Sequence, residues 1–376
     1  MHHSASRILI VAWAFYPGNS PRAHRATELA KELSRQGHSV TVLTLANEEQ
    51  ATLSDEYGIQ FIDLGQPSLP EIPVGWKGKP NIVFRAVRRL LWKLVSYPEI
   101  ELVWRVARRL PRDTHFDYVI SIAVPHAIHW GVAWASARGR KPGDVWIADC
   151  GDPFMGAEND TFSPAFYFRW VEKAFCRRAD WIAIPTEGAK DGYYPEFRDK
   201  LAVIPQGFKF DEYKYLQEIK PVEDGIPRFA FAGVFIQGRR DPRVLLQHLT
   251  KKEEPFEFHI FTKSPALVAS YAARDKRIIV HEFTPRMTLL EKLAGMDFLI
   301  NIENIGTKQT PSKLIDYWLC GRPILSVSSH NFEPAAVDRF LDGDYEEALT
   351  IEDPEQYDIG NISRRFLELG QRIEAE

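Results

Sequence analysis

The sequence has 376 residues, of which 45% are hydrophobic and 26% charged, so it carries enough apolar material for folded cores and is not intrinsically disordered. At roughly 150 residues per domain, this length favours two domains. The 47 Lys and Arg nearly balance the 51 Asp and Glu, and the net charge of −4 argues against a generic nucleic-acid-binding protein.

The cysteines and the apolar runs of the sequence indicate in which cellular compartment the protein is found. Cys150, Cys176 and Cys320 are odd in number and far apart, which fits neither a disulfide framework nor a zinc site and favours free thiols in a reducing cytoplasm. No apolar run approaches the roughly 18 residues that a membrane-spanning helix needs. We interpret the first apolar stretch, Ile8 to Phe15, as a buried strand and not as a signal peptide. The sequence therefore predicts a cytoplasmic protein.

Short β-branched runs alternate with amphipathic stretches along most of the chain. In the first half the predicted strands are Arg7–Phe15, Ser39–Leu45, Ile59–Leu64, Asp117–Ile122, Val145–Asp149, Trp181–Pro185 and Leu201–Pro205. The periodicity of Pro21–Arg35 predicts a helix that Gly37 ends. In the second half the predicted strands are Phe229–Gly233, Phe256–Phe261, Arg277–His281, Phe298–Asn301 and Pro323–Val327. Such alternation predicts an α/β protein with parallel sheets covered by helices on both faces.

The alternation breaks once, between Phe208 and Pro227, where the chain is charged and has little strand signal. We interpret this segment as a hinge between an N-terminal domain, 1–207, and a C-terminal domain, 208–358. A C-terminal helix within 359–376 is a candidate to pack back onto the first domain. Two doubly wound domains place a ligand cleft where the carboxyl ends of their strands face each other. Pro67–Pro80 contains four prolines and is predicted to be a loop.

Several common nucleotide and hydrolase motifs are absent from the sequence. No G-x-G-x-x-G follows the first strand, which argues against a nicotinamide or flavin dehydrogenase, and no G-x-x-x-x-G-K-[ST] marks a P-loop. The nucleophile elbow G-x-S-x-G is also missing.

The most informative stretch is Asn301–Leu325, where a strand ends, a polar loop follows and a helix begins. Thr310 and Pro311 have the residue types of an N-cap and a first helical position. Backbone N–H groups at such a helix start, with Lys313 beside them, form an anion site. Asp316 lies one turn further on, within reach of a sugar hydroxyl next to a phosphate. A capped helix in any α/β unit explains Thr310 and Pro311 equally well without a ligand.

The segment T-P-S-K-L-I-D-Y-W-L-C-G-R-P-I-L, which starts at Thr310, resembles the donor motif of GT-B glycosyltransferases, in particular glycosyltransferase family 4 and its relatives. Three further segments resemble that family in the expected order. They are the opening Phe15–Leu33 with Gly37–Leu43, the interdomain V-I-P-Q-G-F at Val203–Phe208, and Phe231–Val234 followed by Gly238–Pro242. The resemblance spans most of the chain and implies a GT-B fold, in which two Rossmann-like doubly wound domains face a cleft.

The resemblance implies a donor site in the C-terminal domain, to which the N-terminal domain adds Gly18. Its candidate residues are Gly18, Arg239, Arg240, Glu303, Thr310, Ser312, Lys313, Leu314 and Asp316. Among these, Arg240 and Lys313 match the basic residues that stabilise the charge on the leaving diphosphate, with Arg239 as a near equivalent. Solvated loop arginines are the alternative for Arg239 and Arg240.

The sequence departs from the family at one position of the donor motif. Many members carry E-x7-E, and the second Glu corresponds to Asp316, which places the first on Lys308. Three explanations remain open: Glu303 substitutes for the missing carboxylate, a backbone group does so, or the donor sugar differs from the common one.

Two residues of the N-terminal domain are catalytic candidates. His126 follows a predicted strand at the expected cleft edge and would orient the acceptor or contact the donor sugar. Asp152 belongs to Asp149–Phe154, which resembles a D-x-R-D-P-W segment of related transferases, and would contact the acceptor or act as a base. The structural alternatives are a packed histidine at a helix start and an aspartate, Asp149, that caps a turn.

The resemblance implies a retaining glycosyltransferase that moves a sugar from a nucleoside-diphosphate sugar to a glycan or lipid-linked acceptor, as in polysaccharide synthesis. It implies no cofactor and no metal, because Arg and Lys carry the charge, and the sequence shows no metal-ligand spacing. The alternatives are a GT-B-fold sugar-nucleotide epimerase and a non-catalytic subunit that binds sugar nucleotides or glycans. A nucleic acid partner is not expected.

Residues 79–112 stand out by charge, with nine Lys and Arg against two Glu. The positive residues are Lys79, Arg85, Arg88, Arg89, Lys93, Arg105, Arg108, Arg109 and Arg112. Two amphipathic helical patterns hold them, with Trp92, Tyr97 and Trp104 as rings suited to a membrane interface. The stretch 81–112 therefore predicts peripheral binding to an anionic membrane surface at the inner face. Packing of both apolar faces onto the first domain is the equal alternative.

Overall fold

The computed structural model describes residues 5–18, 20–73, 75–76, 79–139, 143–151, 153–156, 163–282, 284–303 and 312–374. The chain forms two compact units. Unit 1 comprises Met1–Phe208 and Gln356–Glu376, and unit 2 comprises Lys209–Glu355.

The strands and helices alternate along the chain as the sequence predicts. The strands are β1 (Arg7–Ala12), β2 (Ser39–Thr44), β3 (Gln60–Asp63), β4 (Gly75–Trp76), β5 (Lys79–Pro80), β6 (Tyr118–Ile122), β7 (Val145–Asp149), β8 (Trp181–Ile184), β9 (Leu201–Val203), β10 (Arg228–Ala232), β11 (Glu257–Phe261), β12 (Ile278–His281), β13 (Phe298–Ile302) and β14 (Ile324–Val327). The α-helices are α1 (Pro21–Arg35), α2 (Gln50–Tyr57), α3 (Ile82–Val95), α4 (Glu101–Arg109), α5 (Ala127–Ala137), α6 (Phe168–Arg178), α7 (Arg243–Leu249), α8 (Ala269–Ala272), α9 (Arg286–Ala294), α10 (Ser312–Leu319), α11 (Pro334–Leu341) and α12 (Ile359–Glu374).

Each unit is built on one parallel sheet. In unit 1 the strand order is β3-β2-β1-β6-β7-β8-β9, and in unit 2 it is β12-β11-β10-β13-β14. Every strand pair within these two sheets is parallel. Helices on both faces bury the sheets in four apolar clusters, two to a unit. The predicted α/β class of two doubly wound units is confirmed.

One predicted loop holds a small piece of regular structure. Within Pro67–Pro80, β4 and β5 pair antiparallel through two residues each. Prolines limit this ladder because they lack the backbone N–H that a longer one needs.

Helix α12 packs on α1 within unit 1. Ile359, Ile362 and Phe366 join the buried cluster that contains the central strands, and Gln36 Nε2, just after α1, donates to Ser363 Oγ at 2.7 Å. Gly207 lies directly beneath this helix, since a Cβ there would stand 2.5 Å from Ile359 Cδ1. The glycine of the V-I-P-Q-G-F segment thus allows α12 to approach the sheet.

The two basic helices of unit 1 differ in packing. The apolar face of α4 is buried through Leu102 and Val106, and Gly131 lets α5 approach it, since a Cβ there would lie 2.6 Å from Val106 Cβ. Helix α3 has no buried residue. Among the described residues, no helix has the length and apolar character that crossing a bilayer requires.

Candidate active site

In unit 2 the donor candidates follow the carboxyl ends of two neighbouring strands. Arg240 comes after β10, and Lys313 lies in the first turn of α10, after β13. Tyr317, fully buried on α10, accepts a hydrogen bond from the Ala232 N–H at 2.8 Å. This bond ties α10 to the end of β10 and brings the two cations into one neighbourhood.

The Lys313 ammonium is shielded from solvent. Nζ is buried and has no hydrogen-bond partner among the described residues. It lies 4.8 Å from the ring centroid of Phe231 and 5.9 Å from that of Tyr317, which is within cation–π range. Burial, reinforced by the positive charge of Arg240, lowers the pKa of Lys313 to about 7.

Arg240 is held by a tight turn. Its N–H donates to the Ile236 carbonyl at 2.9 Å and its carbonyl accepts from the Ile236 N–H at 3.0 Å, while Gly238 takes φ +73° between them. The Arg240 Nε is buried and lacks a partner in the part of the chain that the structure describes. Burial lowers the pKa of Arg240. The neighbouring side chain of Arg239 is exposed, so the turn presents one shielded and one solvated arginine.

The side chain of Asp241 stabilises the same turn. Its carboxylate accepts from Gly238 N–H at 3.1 Å and from the Arg243 guanidinium at 2.5 Å, and the Arg243 contact lowers the pKa of Asp241 to about 2. The Asp241 N–H donates to Ser329 Oγ at 3.1 Å, which connects the turn to the residues after β14. Asp241 is therefore occupied in holding the loop.

Asp316 is engaged in an ion pair. Arg286 Nη2 donates to Asp316 Oδ1 at 2.5 Å, and Nη1 donates to the Tyr213 hydroxyl at 2.7 Å. Burial alone would lower the pKa of Arg286, but the Asp316 charge outweighs it and the pKa is raised. The carboxylate predicted to meet a sugar hydroxyl is thus oriented by Arg286.

Polar groups also end β13 and β14. Asn301 is buried and donates from Nδ2 to Ser326 Oγ at 2.8 Å, and that hydroxyl donates to Glu303 Oε1 at 3.1 Å. The Asn301 Oδ1 is buried and accepts no hydrogen bond within the described ranges. Glu303 is exposed beside this edge of the sheet.

The other donor candidates divide into two groups. Thr310 and Lys308 lie outside the described residues, and Ser312 is described only through its backbone at the start of α10. Leu314 is buried and packs in an apolar cluster of unit 2, because it faces inward on α10. Its side chain serves the core, which leaves its backbone N–H for any ligand.

In unit 1 the candidates follow the carboxyl ends of β1, β6 and β7. Gly18 donates to the Phe15 carbonyl at 2.8 Å, and a Cβ on it would lie 2.8 Å from that oxygen. Ser20 then caps α1 by accepting from Ala23 N–H at 3.1 Å. Gly18 is therefore needed for the sharp turn between β1 and α1.

Asp149, at the end of β7, forms a buried ion pair. Arg25 donates to its two carboxylate oxygens at 2.6 and 2.8 Å, and to the carbonyls of Ile204 and Pro205. Arg22 Nη1 lies 3.8 Å from the same carboxylate. Asp149 thus clamps β7, α1 and the segment after β9, which is more than a turn cap.

His126 is mostly buried, not open at an edge. It stands at the start of α5, and its ring centroid lies 5.3 Å from that of Phe154 and 6.0 Å from that of His129. His129 is fully buried, with Nδ1 2.8 Å from Ser121 Oγ and Nε2 3.3 Å from Cys150 Sγ. Burial, and then His126 and Arg22, lower the pKa of His129 well below its usual value, so its ring is neutral.

Asp152 lies outside the described residues, but the loop after it is anchored. The Phe154 N–H donates to Glu172 Oε1 at 2.8 Å, and the Tyr194 hydroxyl donates to Glu172 Oε2 at 2.8 Å. Burial raises the pKa of Glu172. This carboxylate on α6 fixes the path of the chain after β7.

One group of possible metal ligands occurs among the described residues: His115, Asp117 and Asp144. Asp117 and Asp144 each precede a strand, β6 and β7, so the group lies at the amino ends of the strands. It is therefore at the other edge of the sheet from the residues that follow β1, β6 and β7.

Two residues of this site, Arg286 and Arg25, carry no local sequence signal. Arg286 precedes Asp316 by 30 positions, and Arg25 meets Asp149 across 124 positions, so only the fold brings each pair together. Asn301 has a weak signal, because it is a polar residue at the end of an otherwise apolar strand.

The chain is similar to known glycosyltransferases in sequence and in fold. Residues 23–207, all in unit 1, match the family described as the glycosyl transferase 4-like domain. None of the curated proteins matches the chain.

Solved structures of glycosyltransferases share the fold over nearly the whole chain. A glycosyltransferase from Rickettsia africae ESF-5 has a TM-score of 0.61 at 13% identity and covers 99% of each chain. The lipopolysaccharide outer core galactosyltransferase WaaB, in its apo form, has a TM-score of 0.56 at 14% identity and covers 96% of this chain and 98% of its own. HepE of Anabaena, in complex with UDP-glucose, has a TM-score of 0.53 at 12% identity over 98% of both chains. At such identities the likeness concerns the fold.

Proposed function

We propose that the chain, which has the GT-B fold and matches the glycosyl transferase 4-like domain over residues 23–207, is a retaining glycosyltransferase with a nucleoside-diphosphate sugar as donor. The acceptor is a glycan or a lipid-linked saccharide, and the product serves surface polysaccharide or glycoconjugate synthesis. HepE in complex with UDP-glucose and the lipopolysaccharide enzyme WaaB support these assignments by analogy of fold.

One observation carries the donor assignment: Lys313 Nζ and Arg240 Nε are buried without a hydrogen-bond partner among the described residues, and the two side chains are close enough for Arg240 to lower the pKa of Lys313. A buried charge without a partner is strongly unfavourable, so proteins keep one where a ligand of opposite charge binds. A diphosphate supplies that charge, and its negative charge grows as the glycosyl bond breaks. Cations fixed in a shielded pocket stabilise this developing charge.

The remaining candidates take supporting roles. Asp316, oriented by Arg286, accepts from a ribose or sugar hydroxyl, and Glu303 stands near enough to the end of β13 to replace the missing first Glu of the family motif. His126 and Asp152 act on the acceptor side. Because two cations neutralise the leaving diphosphate, we propose that the reaction needs neither a metal ion nor a cofactor.

Nucleotide binding followed by sugar transfer tests the proposal. Thermal shift against nucleoside diphosphates should show a rise in melting temperature for one base, since a ligand of the native state stabilises it by mass action. The sugar of the matching labelled nucleotide sugar should then be transferred to an acceptor, also when a metal chelator is present. NMR of the product should show that the anomeric configuration of the donor is retained. Without any acceptor, release of the labelled sugar to water would instead favour a hydrolase, and conversion of the sugar nucleotide into its epimer would favour an epimerase.

We further propose that unit 1 binds an anionic membrane surface through α3. Its Val83, Val87, Leu90 and Leu94 recur at helical spacing and are all 40% or more exposed. Arg85, Arg88, Arg89 and Lys93 are exposed on the same helix, which has no acidic residue. Near an anionic surface each such cation contributes about 1 kcal/mol, and the apolar row supplies the insertion.

Helix α4 takes no part in this surface. Its apolar face packs inward, as described above, and Arg105 is held by Glu101 and donates to Ser68 Oγ at 2.7 Å. The Glu101 carboxylate in turn accepts from Ser68 N–H at 2.7 Å and Leu69 N–H at 2.8 Å. We therefore confine the proposed membrane surface, within the predicted stretch 81–112, to α3.

Liposome flotation tests the α3 assignment. Binding should require anionic lipid, weaken with salt and disappear in a variant with Arg85, Arg89 and Lys93 changed to Glu. The matched control changes three exposed arginines in and just after α4, Arg108, Arg109 and Arg112, to Glu, which should leave flotation intact. Equal loss in both variants would show a general charge effect and overturn the role of α3.

A further inference from the structure

Unit 1 contains an apolar groove of about 500 Å³ between α4, α5 and α6. Its lining residues are Ile100, Val103, Trp130, Ala133, Trp134, Ala137, Phe168, Trp170, Val171, Ala174 and Arg178. Ten of these eleven side chains are aliphatic or aromatic, and Arg178 is the exception at the end of α6.

The walls of the groove are firm. Trp130 stacks on Phe168 with ring centroids 5.4 Å apart and an angle of 26°, and both residues are buried. Phe154 meets these two rings edge-on at 5.0 and 5.2 Å. Small residues, Ala133 and Ala174, leave the space between the helices open. The opening is thus a consequence of residue size beside a rigid aromatic wall.

The rim of the groove is an exposed aromatic patch. Trp170 is 64% exposed and Phe166 is 66% exposed, with their rings edge to face at 5.8 Å. Two large apolar side chains held together in water mark a surface that another apolar body covers.

The rim is joined to the proposed membrane-binding helix. The Ala165 N–H donates to the Lys93 carbonyl at 3.0 Å, and the Tyr167 hydroxyl donates to the Leu94 carbonyl. The last turn of α3 therefore holds the segment that carries Phe166 and Trp170. The aromatic rim of the groove thus adjoins the helix that we propose to contact the bilayer.

We propose that the groove holds one hydrocarbon chain of the lipid that carries the acceptor saccharide, an inference that rests on the proposed transferase function. A saccharide needs several partners for its hydroxyls, and this lining offers only indole N–H groups and the Arg178 guanidinium, whereas an alkyl or isoprenoid chain needs only apolar walls. Lys93 and Arg169, both exposed beside the rim at the N-terminal end of α6, supply positive charge for an anionic headgroup. The chain would be buried while the saccharide stays in water.

A homologous series of bromoalkyl phosphates, used below their micelle concentrations, tests the groove without any sugar transfer. Bromine on the chain quenches the fluorescence of Trp130, Trp134 and Trp170. Affinity should rise by up to about fourfold for each added methylene and then reach a plateau when the groove is full. Partition into a bilayer or an unstructured surface would give no plateau.

Filling the groove should remove this binding. Ala174→Phe places a ring in the groove from a half-buried position on α6, and we expect at least a tenfold loss of affinity for the long-chain phosphate. Gln247→Phe, which adds the same ring to an exposed position of α7 in unit 2, is the control and should change nothing. Trp170→Ala, at the exposed rim, gives a second variant that does not depend on core packing.

The outcomes separate this proposal from the ones on which it rests. Affinity that rises without a plateau, or that Ala174→Phe and Trp170→Ala both leave unchanged, overturns the groove even if the enzyme transfers sugar. Saturable binding that these variants abolish supports the groove even if no sugar transfer is found. Flotation provides the third comparison, because the α3 variant should lose it and Ala174→Phe should keep it.

Discussion

Arg25 in unit 1 and the pair Lys313 and Arg240 in unit 2 are buried cations with opposite surroundings. The Arg25 side chain is 4% exposed, and it donates to both oxygens of Asp149 and to two backbone carbonyls. Lys313 Nζ and Arg240 Nε are also buried, yet neither finds an acceptor among the described residues. Both sets follow the carboxyl end of a parallel sheet.

The difference separates a structural charge from a functional one. A buried ion pair with every hydrogen bond made is a poor ligand site, because a new anion would have to displace an existing partner. A buried cation without a partner lowers stability and keeps its capacity for an anion. The two regions therefore predict opposite responses to removal of the charge.

The largest effect should come from breaking the paired cation. Arg25→Met leaves the Asp149 carboxylate buried without its main partner, and we expect a loss of about 3–5 kcal/mol in the free energy of unfolding. Urea denaturation followed by circular dichroism measures it. The double variant Arg25→Met/Asp149→Leu should lose less than the sum of the two single changes, since no unpaired charge remains. A single-variant loss below about 1 kcal/mol would contradict a structural clamp.

Removing the unpaired cation should leave stability intact and lower activity. Lys313→Met deletes a buried charge that has no acceptor in the described structure, so the melting temperature should stay the same or rise. Turnover should fall by about 10²-fold or more, because the charge on the leaving diphosphate loses a stabilising group.

Arg240→Met should reproduce this pattern, and Lys251→Met, at an exposed position of unit 2, is the matched control that should leave both quantities unchanged. Normal steady-state kinetics in both Lys313→Met and Arg240→Met would contradict the proposal that the diphosphate binds in this pocket.

Sequence patterns predict the architecture and part of this contrast. Periodicity gives Pro21–Arg35 as a helix with the bounds it has in the structure, because apolar spacing is a local property. The donor motif points to Lys313 and Arg240 as cations. It does not predict their shielding, which depends on Tyr317 and Phe231 closing around Lys313.

Other features have no signal in the local sequence. Helices α3 and α4 share one basic amphipathic pattern, yet α4 is covered by α5 and α3 is not, since a pattern defines an apolar face without showing what packs on it. Likewise, the clamp between Arg25 and Asp149 depends on the sheet order, which brings the end of β7 close to α1.

A smaller effect should appear on changing pH. With the pKa of free Lys313 at about 7, half of the ammonium is neutral at neutral pH, and a diphosphate binds the protonated form. Affinity for the nucleoside diphosphate should therefore fall by up to about tenfold per pH unit above 7, with proton uptake on binding. Calorimetry in buffers of different ionisation enthalpy measures both. Lys313→Arg, which stays protonated, should remove the slope, and an unchanged slope would assign the proton to another group.

The free energy of unfolding should rise with pH over the range in which the affinity for the nucleoside diphosphate falls. The Lys313 pKa is depressed in the folded chain from the usual 10.5 to about 7, so between these values the unfolded chain binds more protons. The free energy of unfolding should therefore rise with pH above 7 from this group. Lys313→Met supplies the baseline, and its difference from the unaltered protein should shrink as the pH is raised.

The smallest effect should come from the partly exposed pair of Arg286 and Asp316, whose side chains are 28% and 27% exposed. Because water still reaches both side chains, the pair contributes about 1 kcal/mol or less, and Arg286→Gln should change stability little. If Asp316 accepts from the ribose, losing the guanidinium that orients it should weaken a nucleoside diphosphate by less than about tenfold and leave inorganic diphosphate, which has no ribose, unaffected. Titration of both ligands by calorimetry compares them directly. Equal weakening of the two ligands would mean that Arg286 acts on the phosphates, as Lys313 and Arg240 do. A cation that is paired in the free protein would then also bind the ligand, and the contrast between paired and unpaired cations would not hold.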